Sequence, residues 1–176
     1  MRKFLIAGAL AMSACTTTGM SDTNYEAAGR NGSPTASTPA QYVAMAGASD
    51  LYEIGSSRLA LERSSAPQVQ QFARLMIDHH TNTTRTVMDA ARQAGVNPAP
   101  PQLMPMQRDM IAQLRGMNGA SFERAYLSQQ RQAHQMALTL HSGFAEQGSS
   151  EPLRQAARTA VPIIQNHIER LRSLPN

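Results

Sequence analysis

From Pro39 onward the chain alternates apolar and polar residues with the period of a helix. One run, about Ala40 to Ser64, places Val43, Gly47, Ile54 and Leu61 on a common face. "SSAPQ" interrupts it, where Ser64 or Ser65 can cap a second helix that carries Pro67 in its first turn. That second helix runs about Pro67 to Ala94 and ends at Gly95. Its inward row reads Val69, Ala73, Met76, His80, Thr83, Val87, Ala90 and Ala94, with steps that alternate four and three without a fault. A proline-rich connection, "NPAPPQLMP", leads to a short amphipathic piece with Leu103, Met106, Met110, Ile111 and Leu114 at helical spacing. A third long helix follows, about Ser121 to Gln147, with Leu127, Gln130, His134, Ala137, His141 and Phe144 in its row. "GSSEP" then opens a fourth, about Glu151 to Leu174, with Leu153, Ala160, Ile164, His167, Leu171 and Leu174. Alternating strand-like runs are absent. The pattern predicts an all-α fold, a four-helix bundle over residues 40–174 with an extra short helix between the second and third long ones.

The N-terminal residues follow a different pattern. Arg2 and Lys3 precede the apolar run "FLIAGALAMSA" and then Cys15, the one cysteine of the chain. A basic start, a short apolar stretch and small residues before a cut predict a secretory signal over residues 1–14. "MSAC" resembles a bacterial lipobox, with Met12 where Leu is usual, so Cys15 is the expected lipidation site. An ordinary signal peptide with a stray cysteine is the alternative. Residues 15–39, rich in Thr, Ser, Gly and Asn, cannot bury enough apolar surface to offset the entropy of ordering, and read as an anchor and flexible tether. This predicts a protein held to a membrane through lipid on Cys15, facing the periplasm. Thr16, rather than Asp, follows Cys15 and points to the outer membrane over the inner by analogy with bacterial lipoproteins. The formal net charge of +4 falls to +2 once Arg2 and Lys3 are set aside, too little to argue for nucleic acid. With one cysteine, at the lipid position, the folded part has no internal disulfide, and its stability must come from packing or metal.

The candidate chemistry lies in the bundle. All five histidines fall in predicted helices, and His80, His134 and His167 take core-facing positions on three different ones. At 1.5 Å per residue, His80 and His134 each lie roughly 22 Å from their helix ends, His167 roughly 25 Å and Glu53 roughly 18 Å. All four therefore sit near mid-height. Glu53 shares a row with Ala46 and Ala60, whose small side chains leave room beside it. A glutamate and three histidines, one from each helix, make a plausible His₃Glu site for one transition-metal ion such as Zn, Cu or Fe. The alternative is a metal-free Glu–His hydrogen-bond network that fixes helix register in a non-catalytic interaction module. His141 is one heptad beyond His134, roughly 10 Å along the helix, and is expected outside a first shell. His79 and Asp78 are turned away from His80 and are expected at the rim or surface, His79 within reach of an outer shell. Met104, Met106, Met110 and Met117 could bind Cu(I), but a flexible apolar cover is the commoner use of such residues. Pro162, five residues before His167, predicts a bend in the fourth helix.

Four stretches, "EIGSSRLALERSSAPQVQQFARLMIDHHT", "GMNGASFERAY", "QAHQMAL" and "VPIIQNHIERL", together resemble the bacterial envelope family catalogued as domain of unknown function 4142. The resemblance covers roughly Gln41 to Leu171. It implies a ferritin-like fold and an envelope location, since members are often labelled outer-membrane proteins. The family's motif residues fall on Glu53, His80, His134 and His167. The family usually has Asp immediately before the histidines of helices two and three; here those places hold His79 and Ala133. Ferritin-like architecture suggests di-iron chemistry, which wants Glu-x-x-His on two helices. Three residues before the histidines stand Ile77, Arg131 and Ile164, none acidic, so a single-metal site is the better match and a ferroxidase is disfavoured. Four protein ligands would close a tetrahedral site, which argues against catalysis.

Overall fold

The computed structural model describes residues 36–174, so the expected signal, Cys15 and most of the tether lie outside the described residues. The described chain forms five helices: α1 (Pro39–Arg63), α2 (Pro67–Gln93), α3 (Pro105–Arg115), α4 (Gly119–Gln147) and α5 (Glu151–Ser173). Among the described residues there is no strand.

Local chemistry sets several of the ends. Thr38 opens α1 with a capping box: its hydroxyl accepts from the Gln41 N–H, and the Gln41 side chain accepts from the Thr38 N–H. The α2 start departs from expectation. Ala66 occupies the cap position with no side-chain hydrogen bond. Ser64 instead donates to Glu123 Oε1 at 2.6 Å, while its oxygen accepts from the Ala66 N–H. The serine thus pins the α1–α2 turn to the start of α4. Gly95 ends α2 as expected, with φ +71°, a conformation that suits glycine. Its N–H reaches the Arg92 carbonyl and that of Val96 the Ala91 carbonyl, the paired bonds of a Schellman ending.

The packing fixes the topology. The start of α1 meets the end of α4, where Tyr42 stacks on Phe144. The start of α2 meets the end of α5, with Val69, Phe72 and Leu171 in one cluster. The start of α4 adjoins the end of α1, where Arg63 donates to the Met117 carbonyl. α1 and α5 therefore run one way, α2 and α4 the other, and residues 96–118 cross the full length of the bundle. This crossover lies along α1. Pro101 packs so close to Gly47 that an added Cβ would sit 3.1 Å from its ring, and Ile111 approaches Gly55. α1 is consequently buried on two sides, and Tyr52 packs with Ile111 of α3 and Ala133 of α4. That is why Ile54 and Leu61 are only half-buried, while Tyr42, Ala46, Asp50 and Tyr52 are buried.

The predicted rows of the other helices hold. Every residue of the α2 row from Val69 to Ala90 is buried, as are the six of the α4 row. Of the methionines in the crossover, Met106 is exposed, while Met110 and Met117 pack against buried clusters as an apolar cover. α5 continues as an α-helix through Pro162, which faces solvent. Water can there reach the Arg158 carbonyl that proline leaves without a donor. Two apolar clusters fill the ends of the bundle, one around Tyr42, Leu140 and Leu153, the other around Phe72, Phe122 and Leu127. Between them lies a layer of buried polar side chains.

Candidate metal centre

The polar layer draws on all four long helices. α1 supplies Asp50 and Glu53, α2 His80 and Thr83, α4 Gln130 and His134, and α5 His167. His134 and His167 are completely buried and His80 nearly so. Each of these three histidines offers a nitrogen, and the three atoms lie within 4.8 Å of one another. Their ring centroids form a near-equilateral triangle with edges of 5.2, 5.4 and 5.6 Å.

Outer hydrogen bonds decide which nitrogens face the centre. His80 holds Asp50 Oδ1 with Nδ1 at 2.7 Å, leaving Nε2 buried with no hydrogen-bond partner. The Nδ1–H of His134 donates to the Gln130 carbonyl one turn earlier at 2.8 Å, leaving Nε2 toward the centre. His167 turns Nδ1 toward His134 Nε2 at 3.1 Å and Nε2 toward His79 Nδ1 at 2.8 Å. The 3.1 Å separation is close to the nitrogen–nitrogen edge, about 3.3 Å, of a tetrahedral site with metal–nitrogen bonds of about 2.0–2.1 Å. Two of the three imidazoles thus carry the outer carboxylate or carbonyl that orients metal-bound histidines.

Glu53 lies at mid-height as expected, but against the other nitrogen of His134: Oε1 is 3.5 Å from Nδ1. It stands outside the group of three converging nitrogens. Neither carboxylate oxygen has a hydrogen bond. Burial pushes the Glu53 carboxyl up to about 7, against the pull of the nearby His80 charge. Sequence reasoning missed Asp50, which accepts from Thr83 and Thr84 as well as holding His80. His79, expected at the rim within reach of an outer shell, is half-buried and hydrogen-bonded to His167. His141 is outside the group, as expected, and bonds to the Tyr42 hydroxyl at 2.9 Å.

The electrostatics divide the histidines. Burial lowers His134 to about 3 and His141 to about 4, and drives His167 down as well. The same burial acts on His80, but the Asp50 hydrogen bond and charge outweigh it and raise His80 above its ordinary value. The lowered groups make the metal-free fold sensitive to acid. In the unfolded chain these imidazoles take up protons near 6.5, and in the fold they do not. Their stability contribution is therefore full above 6.5 and is lost as pH falls toward 4, at up to about 1.4 kcal/mol per pH unit for each group. Glu53 acts oppositely, favouring the fold as pH falls from 7 toward 4.5, and so does the raised His80 until pH reaches its ordinary value of 6.5; below that, three lowered groups stand against Glu53 alone. Thermal unfolding of metal-free protein between about pH 6 and 4.5 should show a steadily falling midpoint; a flat or rising one would contradict this balance.

The family described as domain of unknown function DUF4142 matches residues 25–174. The chain belongs to this family. The membership confirms the resemblance seen in the motifs. A solved structure with the same fold, from a Streptomyces coelicolor protein described as a secreted DUF305 protein, aligns at a TM-score of 0.60 and 14% identity. The alignment covers 76% of this chain and 88% of that one. At that identity the likeness speaks for the helical architecture alone. No curated protein matches the chain. The family thus brings a fold and no chemistry, which must be argued from the histidine layer.

Proposed function

We propose that this DUF4142 bundle binds a single transition-metal ion through His80 Nε2, His134 Nε2 and His167 Nδ1. The observation that carries this reading is the convergence of three buried imidazoles on one point, with His80 Nε2 left without any partner. An orphaned buried nitrogen is costly, and a cation at the centre would satisfy it. Three neutral imidazoles suit Zn, Cu or Fe. We assign Glu53 to charge compensation beside His134 rather than to the inner set. Three protein ligands leave a coordination position open to water or a small ligand, so the closed four-ligand shell that argued against catalysis is not required.

We further propose that lipid on Cys15 holds the domain at the envelope, most simply at the outer membrane facing the periplasm. Arg2, Lys3 and the following apolar run support export, and the structural relative is described as secreted. No helix among the described residues is long and apolar enough to cross a membrane.

The test is metal content. The chain from Thr16 to Asn176, purified without a histidine tag and loaded with Zn, Cu or Fe, should retain about one equivalent by elemental analysis after gel filtration. Retention of none would favour the metal-free alternative, in which the imidazoles bond only to each other and the layer serves to fix helix register.

A further inference from the structure

Among the described residues, His79 is the one histidine near the centre that reaches toward the surface, and the hydrogen bonds around it have a direction. A carbonyl only accepts, so His134 must carry its proton on Nδ1 to reach the Gln130 oxygen. A neutral His134 then has only a lone pair on Nε2. The 3.1 Å contact with His167 Nδ1 therefore requires the proton on His167 Nδ1. A neutral His167 in turn has a lone pair on Nε2, and the 2.8 Å contact with His79 requires the proton on His79 Nδ1. Complete burial of His134 and His167 keeps both rings neutral. The metal-free chain thus reads His79 Nδ1–H to His167 Nε2, His167 Nδ1–H to His134 Nε2, and His134 Nδ1–H to the Gln130 carbonyl.

This order conflicts with metal capture. His167 faces the centre with Nδ1, and a nitrogen that carries a proton cannot donate a lone pair to a metal. We propose that His79 is a positioning residue that controls which nitrogen of His167 bears the proton, and that metal capture reverses the His79–His167 hydrogen bond. In the reversed state His167 carries its proton on Nε2 and donates it to His79 Nδ1, while His79 carries its own proton on Nε2. Each ring holds one proton before and after, so the change exchanges tautomers without altering charge. His79 suits this role because imidazole can either donate or accept at Nδ1. A carboxylate at the same place could only accept, and would hold His167 in the metal-ready tautomer permanently. The rings of His79 and His167 stack with centroids 5.0 Å apart, which keeps the pair aligned in either state. The second half of the proposal rests on the metal reading above; the first half concerns the metal-free protein.

The experiment uses ¹⁵N-labelled chain from residue 15 onward, with Cys15→Ser to keep it free of lipid, near pH 7.5. Long-range ¹H–¹⁵N correlation spectra distinguish protonated from bare ring nitrogens. Metal-free protein should show His79, His134 and His167 all protonated on Nδ1, and one equivalent of Zn²⁺ should move the His167 proton to Nε2. His79→Asp should show His167 protonated on Nε2 before any metal is added, and should bind Zn²⁺ at least as tightly as the parent. His79→Ala should bind about 10- to 100-fold more weakly, the usual loss when an outer partner is removed. Finding His167 protonated on Nε2 in the metal-free parent, or on Nδ1 in His79→Asp, overturns the proposal. So does Zn²⁺ affinity in His79→Asp as weak as in His79→Ala. If no variant and no parent binds Zn²⁺, the metal reading and the reversal fall together. The metal-free tautomers and the His79→Asp spectrum still decide whether His79 governs His167.

Discussion

His134→Ala should abolish stable metal binding, while His141→Ala should leave it intact. Both residues sit in the same α4 row, one heptad apart, and both are buried. Only His134 belongs to the converging group. Structural zinc sites supply about 10–16 kcal/mol from four ligands, so the loss of one is worth about 3 kcal/mol or more, beyond 100-fold in affinity. The substitution also affects the metal-free fold. It removes the acceptor of the His167 Nδ1–H and the donor to the Gln130 carbonyl, and opens a cavity beneath Phe72, whose ring lies 6.3 Å away. A loss of about 2–4 kcal/mol is expected from these together. His141→Ala should lose a similar amount of stability, since it strands the buried Tyr42 hydroxyl and removes an edge contact with its ring. The pair therefore separates ligand from structural histidine. Calorimetric titration with Zn²⁺ and thermal unfolding of both variants measure it. Equal retention of metal by the two would sink the three-histidine assignment.

The sequence carried the helix rows and hence the height of each histidine, because a heptad row and a 1.5 Å rise are properties of the chain alone. His80, His134 and His167 were identified on that basis, and the structure brings them together. What the rows could not supply was rotation within the layer. Glu53 and His134 are at one level, yet Glu53 meets Nδ1 rather than Nε2, a distinction set by the ring's bond to its own backbone turn. Counting angles along α2 alone puts His79 at the rim within reach of an outer shell, but names no partner for it. Its partner, His167, comes from α5, and no property of α2 reveals that a neighbouring helix turns a ring toward it. The Ser64 cap differs for a similar reason: its hydroxyl donates to a carboxylate from α4, and its oxygen accepts from the N–H of Ala66, the residue before α2, rather than from an N–H inside the helix. The crossover runs the length of the bundle along α1, and it explains why α1 buries more than one face.

Asp50 is different, because its signal was present. Ala46, Asp50, Glu53, Ser57 and Ala60 advance by alternating four and three, the same faultless pattern as the α2 row, and all five are buried. The sequence places Ala46, Glu53 and Ala60 on this row, but reading α1 mainly through Val43, Ile54 and Leu61 left Asp50 off it. Asp50→Ala should consequently have the second large effect. The Thr83 and Thr84 hydroxyls also reach the His80 carbonyl and keep a partner. His80 does not: its Nδ1 would be left buried with no acceptor and its ring no longer oriented. Breaking a buried pair from one side costs about 3–5 kcal/mol, and loss of the outer carboxylate should weaken metal binding about 10- to 100-fold. Asp50→Asn separates the two roles. The amide oxygen can still accept from His80 Nδ1, so stability should fall by only about 1 kcal/mol, but the charge that raises His80 is gone. A proton and a metal compete for His80 Nε2, and the proton competes better when His80 is raised. Asp50→Asn should therefore bind metal more weakly than the parent above neutrality, yet lose less affinity as pH falls from 7.5 to 6. Titrations at the two pH values give the comparison. A parent and an Asp50→Asn variant with identical pH dependence would show that Asp50 orients His80 without tuning its proton.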